Sequence, residues 1–366
     1  MQALEIISIL ETVAPLQYQE SYDNSGIQVG EPQTIITGVL FSLDITEPIL
    51  EEALARGCNM VIAHHPIIFG GLKKLSGRNY VERVVMKAIR HNMVLYASHT
   101  NLDNLRNGVN ARIAERLGLV HTRILQPMAK SLKKLYTYVP SEHAENLRNV
   151  LFAAGAGSIG DYSECSFSSP GTGSFRPGSN ASPKIGNAGG KREEVEETKI
   201  EVLVPIHLES RILKALLGQH PYETVAYEMI DLANVNQELG AGLIGELEHE
   251  MDETSFFKLL LNKMECTCIR HSPLLNHPIR KVALCGGSGS FLLKEAIKAG
   301  ADVFITGDYK YHQFFDAEDQ ILIADIGHYE SEQFTPELLL GILAKKLPNF
   351  ALLLSGTTTN PVNYFF

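Results

Sequence analysis

The chain repeats part of its own sequence at a constant spacing of 243 residues. The segment VLFSLDITEPILEEALARGCNMVIAHHP, residues 39–66, aligns without a gap with VALCGGSGSFLLKEAIKAGADVFITGDY, residues 282–309. Each copy has an apolar run, a stretch of helical periodicity that closes at a glycine, and a second apolar run, which is the pattern of a βαβ unit. A further helical stretch and a third apolar run follow both copies, at 93–98 and 321–325. The repeat therefore predicts an α/β protein with two similar βαβαβ lobes and mainly parallel sheets.

A second, smaller repeat lies between the two lobes. Residues 136–157 and 201–222 each read as a strand followed by a helix, and 224–232 reads as one more strand. This order is typical of a split βαβ, ferredoxin-like α+β domain. Within it, residues 155–190 contain 9 Gly, 8 Ser and 3 Pro, which predicts a long flexible loop. We therefore expect three domains: a first lobe at 1–126, an insert at 127–238 and a second lobe at 239–366.

Charge and hydropathy exclude several classes of protein. The chain has 32 basic and 42 acidic residues, a net charge of −10, and such a surface repels a nucleic-acid backbone. Its apolar runs, such as LLLGILA at 338–344, are far shorter than the ~20 residues of a membrane-spanning helix. The N-terminal segment carries acidic residues where a signal peptide needs basic ones. These features predict a soluble, cytoplasmic protein whose partner is a small molecule.

Residues that bind metals follow several of the predicted strands. Ligand sites in open parallel sheets lie beyond the carboxyl ends of the strands, so these residues are expected to converge. Alone, a pair of neighbouring histidines or a His-x3-Glu spacing more often belongs to a surface or a core. Together they exceed what one catalytic ion requires and predict two divalent ions, drawn from Zn, Mn, Fe, Co or Ni. The candidate ligands are His64, His65, Asp103, His328 and Glu332.

Other polar residues near these strand ends have more than one interpretation. His99 follows the third strand and is a candidate either for orienting a ligand or for a structural hydrogen bond. Asp308, which takes the place of His65 in the repeat, and His312 are further catalytic candidates. The glycine-rich turn at 286–290 could hold an anion or be a plain tight turn.

Taken in order, several segments of the chain resemble the NIF-three-like family, also known as GTP cyclohydrolase I type 2 homologues. The resemblance implies a dinuclear metal centre at the five candidate ligands. It also implies a toroidal homohexamer with metal sites facing an inner cavity, and an insert similar to PII-like or CutA-like domains. The matching segments are YDNSGIQVG (22–30), MVIAHHPIIF (60–69), SHTNLDN (98–104), ALCGGSGS (283–290), ITGDYKYHQ (305–313), DIGHYESEQ (325–333) and TTNPVNYF (358–365).

Two functions are compatible with these observations. The first is a metal-dependent hydrolase that uses a metal-activated water on a nucleotide-like or phosphorylated small molecule. The second is a metal-stabilised toroidal scaffold or ligand sensor that acts through its PII-like insert. The ligand set favours the first function, whereas the large insert with its Gly/Ser-rich loop favours the second.

Overall fold

The computed structural model describes residues 1–365. Met1–Met128 and the described residues from Gln237 onward form one compact unit, and Ala129–Asn236 form a second, inserted unit. None of the helices between residues 1 and 365 combines the length and hydropathy that a bilayer-spanning helix requires.

The helices are numbered in chain order. They are α1 (Ala3–Val13), α2 (Glu47–Ala55), α3 (Tyr80–Arg90), α4 (Thr100–Asp103), α5 (Val109–Leu117), α6 (Ala144–Ala153), α7 (Glu209–Gln219), α8 (Glu253–Lys263), α9 (Leu293–Lys298), α10 (His328–Glu332) and α11 (Thr335–Ala344).

The strands are numbered in the same way. They are β1 (Gly26–Val29), β2 (Val39–Ser42), β3 (Met60–Ala63), β4 (Val94–Ala97), β5 (Val120–Pro127), β6 (Leu132–Pro140), β7 (Ser166–Phe175), β8 (Glu193–Pro205), β9 (Tyr227–Asp231), β10 (Gly240–Met251), β11 (Arg270–His271), β12 (Ile279–Ser288), β13 (Val303–Gly307), β14 (Leu322–Asp325) and β15 (Leu352–Leu354).

Local sequence signals set the limits of the helices in the first repeat. Thr46 caps α2 by accepting a hydrogen bond from the Ile49 N–H, and Pro48 lies in the first turn, where its missing N–H costs nothing. Asn79 caps α3 in the same way, at 2.9 Å from the Glu82 nitrogen. The strands between these helices, β2, β3 and β4, are buried along their whole length, as strands covered by helices on both faces must be.

The first sheet has the strand order β1-β4-β3-β2-β15. The pairs β4-β3, β3-β2 and β2-β15 are parallel, and β1 is antiparallel to β4. Its outermost parallel strand, β15, comes from the far end of the chain and pairs Leu352 with Val39. Helix α11 also packs on this side, because Leu339 and Leu343 join the core that Phe41 and Tyr96 form. The C-terminal part of the chain therefore completes the first lobe.

The second sheet has the order β11-β14-β13-β12-β10-β5. Only β12-β13 and β13-β14 are parallel, while β10-β12, β5-β10 and β11-β14 are antiparallel. The expectation of mainly parallel sheets is therefore wrong for this lobe, which has a mixed sheet. Strand β5, which precedes the insert, pairs with β10, which follows it. Residues 120–127 thus belong to the second sheet, so the expected limit of the first lobe at residue 126 does not separate the two sheets.

The inserted unit contains one four-stranded antiparallel sheet with the order β7-β8-β6-β9. Its elements follow in the order β6, α6, β7, β8, α7, β9, and the core lies between the sheet and the two helices. The flexible loop expected at 155–190 is corrected in part, because Ser166–Phe175 form β7 and pair with β8 over ten residues. Pro170 and the glycines of β7 are tolerated because β7 is an edge strand that bonds on one side only.

A carboxylate on α2 anchors the segment that follows β15. Glu52 accepts hydrogen bonds from the Ser355 hydroxyl at 2.6 Å and from the Gly356 and Thr357 N–H groups at 2.9 and 3.2 Å. Burial raises the pKa of Glu52, but these bonds and the Arg56 guanidinium outweigh it and lower the pKa to about 2. The C-terminal segment is therefore tied to the first lobe by an ionised group.

Candidate metal centre

Two strand ends of the first sheet supply three of the candidate ligands. His64 and His65 follow β3, and the N–H groups of both residues donate to the Leu43 carbonyl, at 3.1 and 3.0 Å. This turn ends the strand and brings the two rings to one side, with centroids 4.9 Å apart. Asp103 ends the short helix α4, which follows β4. The chain thus leaves neighbouring parallel strands with ligand-type side chains at one edge.

Glu332, which is on α10 beyond β14, lies in the middle of the cluster. Its Oε2 is 2.9 Å from His65 Nε2 and 3.1 Å from His328 Nε2. Its Oε1 faces His64 Nε2 at 3.8 Å, and that nitrogen lies 3.5 Å from Asp103 Oδ1. The structure therefore brings all five predicted residues together, in two groups that share the Glu332 carboxylate. His328 and Glu332 lie on one helical turn, ahead of the separate helix α11.

The three candidate histidines are each held through Nδ1, so that Nε2 is directed at the cluster. An imidazole ligand of a metal ion typically donates its other N–H to a carboxylate or a carbonyl in this way. The pairs are His64 with the Ser98 carbonyl at 2.8 Å, His65 with Asp44 at 2.7 Å and His328 with Asp308 at 2.7 Å.

Two buried polar atoms in the cluster lack hydrogen-bond partners. These are His64 Nε2 and Asp103 Oδ1, neither of which is bonded by any residue between 1 and 365. Burial raises the pKa of the Asp103 carboxyl, which the His64 imidazole opposes and the Glu332 charge reinforces. An unsatisfied buried polar atom costs about 1–3 kcal/mol, and a cation between these atoms would remove that cost. The donor set, imidazole plus carboxylate, therefore fits a divalent metal ion.

Two of the candidate imidazoles, those of His65 and His328, have pKa values well above the usual value for histidine. Burial lowers the pKa of His65, but the Asp44 and Glu332 carboxylates outweigh it and raise the pKa to about 10. Burial lowers the pKa of His328 as well, and Glu332 raises it to about 9. Metal binding requires neutral imidazole, so a cation at this cluster has to displace protons from both rings at neutral pH.

His99 adds a fourth imidazole next to the cluster. Its Nδ1 lies 2.7 Å from Asp23 Oδ1, and the Thr100 hydroxyl and N–H donate to the other oxygen of Asp23. The ligand atoms of His64, His65 and His99 lie within 4.8 Å of one another, a spacing that could hold a metal ion. His99 therefore faces the cluster in the same manner as the candidate ligands.

Two other features that the sequence indicates, His312 and the turn at 286–290, contribute no ligand group to the cluster. His312 is exposed, stacks edge-on against Tyr311 and does not line the pocket at the cluster. The turn at 286–290 is not an anion cradle, because protein groups already bond three of its N–H groups. The acceptors are Asn110 Oδ1 for Gly286, Ser331 Oγ for Gly287 and Thr306 Oγ1 for Gly289.

Gly287 makes room for the central carboxylate. Its φ is +60°, and a Cβ at this position would overlap Glu332 Oε1. The glycine-rich turn thus serves the cluster by its shape, which the sequence alone does not indicate.

Sequence reasoning named Asp308, which holds His328, but assigned no role to two other groups that support the imidazoles. Asp23 lies before β1, and Thr359 lies in the C-terminal segment, where its hydroxyl donates to Asp44 Oδ2. Neither follows a strand of the repeat, so the strand-end rule does not find them. Both lie in segments that resemble the family, 22–30 and 358–365, and this resemblance was the signal that could have pointed to them.

A pocket with a volume of about 810 Å³ opens onto the cluster. Tyr22, Phe69 and Phe291 line it, as does the C-terminal segment through residues such as Val362 and Tyr364. Asn360 holds this segment in place by donating to Glu330 at 3.0 Å. The pocket is large enough for a small organic molecule next to the candidate ligands.

Comparisons with known proteins match nearly the whole chain. The family model described as Duf34/NIF3 (NGG1p interacting factor 3) matches residues 1–361. A GTP cyclohydrolase 1 type 2 homolog from Halalkalibacterium halodurans is 37% identical over 364 residues, which are 98% of each chain. The crystal structure of a Bacillus cereus protein related to NIF3 has a TM-score of 0.85 at 36% identity and covers 100% of this chain and 99% of that one. A Staphylococcus aureus protein has a TM-score of 0.79 at 29% identity, with the same coverage.

Proposed function

Because the chain belongs to the Duf34/NIF3 family, we propose that its cluster binds two divalent metal ions and that the protein is a metal-dependent hydrolase of a small molecule. The observation that carries the proposal is the position of Glu332, whose two oxygens face two separate groups of ligand atoms. A carboxylate shared in this way suits a pair of ions better than a single one.

The two groups define which residues would hold each ion. His64, Asp103 and Glu332 Oε1 would hold one, and His65, His328 and Glu332 Oε2 would hold the other. Divalent ions at such a site supply Lewis acidity toward a substrate and acidify water at neutral pH.

The protein's own residues would orient the substrate and move protons. The bond to Asp23 places the proton of His99 on Nδ1, which leaves Nε2 free to accept a proton from a group in the pocket. Asp44 and Asp308 fix the rings of His65 and His328. The aromatic walls would hold the organic part of the substrate. Nucleotide-like or phosphorylated molecules remain the substrates that the sequence predicts, and the name of the relative from Halalkalibacterium halodurans makes a purine triphosphate one candidate.

A screen of metal-loaded protein tests the hydrolase proposal. The protein, loaded with Zn²⁺ or Mn²⁺, is incubated with nucleotides, other phosphorylated metabolites and cyclic amides, and products are detected by their mass. We expect at least one substrate to gain the mass of water, or to lose a group by hydrolysis, at a rate above that of the His64→Ala/Glu332→Ala variant. Equal background rates for both proteins across the screen would contradict the proposal.

The inserted unit, residues 129–236, supports a second candidate function. Its element and strand order suit a ferredoxin-like, PII-like domain, and it contains a cavity of about 740 Å³ lined in part by Tyr138, Phe175 and Tyr222. In this candidate function a small ligand binds the insert, and the metal ions stabilise a scaffold. Deleting residues 129–236 distinguishes the two functions. The deletion is feasible because the Met128 N–H donates to the Leu239 carbonyl, so that the two cut ends lie next to each other. If the protein is a hydrolase, the deletion variant keeps its metal-dependent turnover. If it is a sensor, the variant no longer binds the small ligand.

The expected homohexamer with inward-facing sites and the cytoplasmic location belong to the same proposal. Native mass spectrometry tests the assembly directly, with a mass of six chains expected. A monomer at micromolar concentration would contradict it.

A further inference from the structure

The pocket at the metal centre is rich in carboxylates beyond those proposed as ligands. Asp103 and Glu332 are accompanied by five more acidic side chains, from different parts of the chain. These are Glu20, Asp44, Asp308, Asp325 and Glu330.

Once metal ions keep its histidines neutral, the pocket has little positive charge of its own to offset these groups. Among the lining residues, Arg270 is the one Lys or Arg side chain, and it already binds Asp325 at 3.1 Å and the Tyr309 carbonyl at 2.8 Å. Seven carboxylates against one guanidinium leave a formal charge of −6 when the histidines are neutral, and two divalent ions reduce it only to −2. A concave, largely apolar site concentrates this field on whatever enters.

The mouth of the pocket offers flat apolar surface instead. Tyr22, Phe69 and Phe291 are 62%, 55% and 61% exposed although they are large aromatic residues. The rings of Tyr22 and Phe69 lie 6.4 Å apart, and Phe69 is 6.2 Å from the ring of His99. Exposed aromatic rings beside a polar site favour planar ligands, which stack on them.

We infer that the site binds an uncharged or cationic molecule with a planar aromatic or heterocyclic part and discriminates against its phosphate esters. This inference rests on the proposed function, since it concerns the same pocket with its ions in place, and it favours an unphosphorylated substrate over the phosphorylated ones that the sequence predicts. At an effective dielectric constant of about 20, one uncompensated carboxylate roughly 10 Å from a unit negative charge weakens binding by about tenfold. A phosphate that binds the metal ions directly would gain affinity with charge, so the two effects have opposite signs.

Matched nucleosides and nucleotides separate these effects. The metal-loaded full chain is titrated calorimetrically with guanosine, GMP and GTP, and with adenosine and AMP, at 50 and 300 mM salt, and its metal content is measured afterwards. We expect each nucleoside to bind at least tenfold more tightly than its monophosphate, GTP to bind more weakly than GMP, and added salt to narrow the differences. Equal or tighter binding of the phosphate esters overturns the inference, as does the absence of binding by both nucleosides at millimolar concentration.

Neutralising one carboxylate that lines the pocket tests whether charge causes the expected difference between GMP and guanosine. Glu20 accepts a hydrogen bond from Asn104 Nδ2 at 3.1 Å, which Gln at this position can still accept. Glu20→Gln is expected to raise GMP affinity about two- to tenfold and to leave guanosine affinity within twofold, while Glu145→Gln, on the exposed side of α6, changes neither. An unchanged ratio of GMP to guanosine affinity in Glu20→Gln contradicts the inference. A protein that retains no metal would contradict the proposed function and not this inference, because every titration in the series uses metal-loaded protein.

Discussion

Neutralising Asp44 should weaken metal binding without disturbing the fold. Asp44 Oδ1 accepts the Nδ1 proton of His65 at 2.7 Å, and the Thr359 hydroxyl donates to its other oxygen. In Asp44→Asn the amide oxygen can still accept from His65, and the amide N–H can donate to the Thr359 hydroxyl in place of the bond that the carboxylate accepts, so that mainly the charge is lost. The change therefore isolates the electrostatic support that the carboxylate gives to the ring.

The magnitude follows from the position of this charge. A divalent cation bound at His65 Nε2 would lie across the ring, roughly 7 Å from the carboxylate, where Coulomb's law gives about 5 kcal/mol at an effective dielectric constant of about 20 and about 1 kcal/mol at that of water. Removing such an outer partner typically lowers metal affinity 10–100-fold, or about 1.4–2.7 kcal/mol. We thus expect Asp44→Asn to bind Zn²⁺ 10–100-fold more weakly than the wild type.

The assay is competition for Zn²⁺ with a chromophoric chelator at pH 7.5. Asp308→Asn is the matched control, because Asp308 holds His328 in the same way but its side chain is 58% exposed, against 32% for Asp44. Water screens the more exposed charge better, so the loss for Asp308→Asn should be smaller. Zn²⁺ affinity within twofold of the wild type for Asp44→Asn, or a larger loss for Asp308→Asn, would refute the reasoning.

Three further predictions concern pH and shape. Glu52→Gln should lower the free energy of unfolding by about 1–2 kcal/mol at pH 7. Because the pKa of Glu52 is lowered to about 2, the difference should shrink as the pH falls from 4.5 toward 2, as urea titrations at several pH values would measure. Gly287→Ala should displace the Glu332 carboxylate and abolish the thermal stabilisation by Zn²⁺ seen in melting curves; a wild-type shift would contradict the close approach. Because the pKa values of His65 and His328 are raised to about 10 and 9, Zn²⁺ binding at pH 7 should release more than one proton, which calorimetry in buffers of different ionisation enthalpy detects; no release would refute it.

The cluster could be predicted because of the internal repeat. Duplicated βαβ units direct the carboxyl ends of parallel strands to one edge, and His64, His65 and Asp103 follow such ends. His328 and Glu332 follow the corresponding strand of the second copy. Short-range patterns thus located these five residues, and the structure brings them together.

What the sequence did not indicate depends on partners far apart along the chain. Strand β15 pairs with β2 across some 300 residues, and no local pattern in either segment specifies the other. Asp23, which holds the imidazole of His99, and Thr359, which donates to the Asp44 carboxylate, lie outside the repeat, and only the finished fold brings them to the cluster. Strand β7 was missed for a different reason, because its Gly, Ser and Pro content is that of a loop and its pairing with the long strand β8 overrides this local preference.

The metal content of the purified protein tests the central claim most directly. Wild type and the His64→Ala/Glu332→Ala variant are incubated with excess Zn²⁺, passed through a desalting column and analysed by inductively coupled plasma mass spectrometry, with circular dichroism to verify that both are folded. The arrangement of the five side chains predicts two Zn²⁺ ions per wild-type chain and fewer than one in the variant. A wild type that retains no more metal than the variant would contradict it.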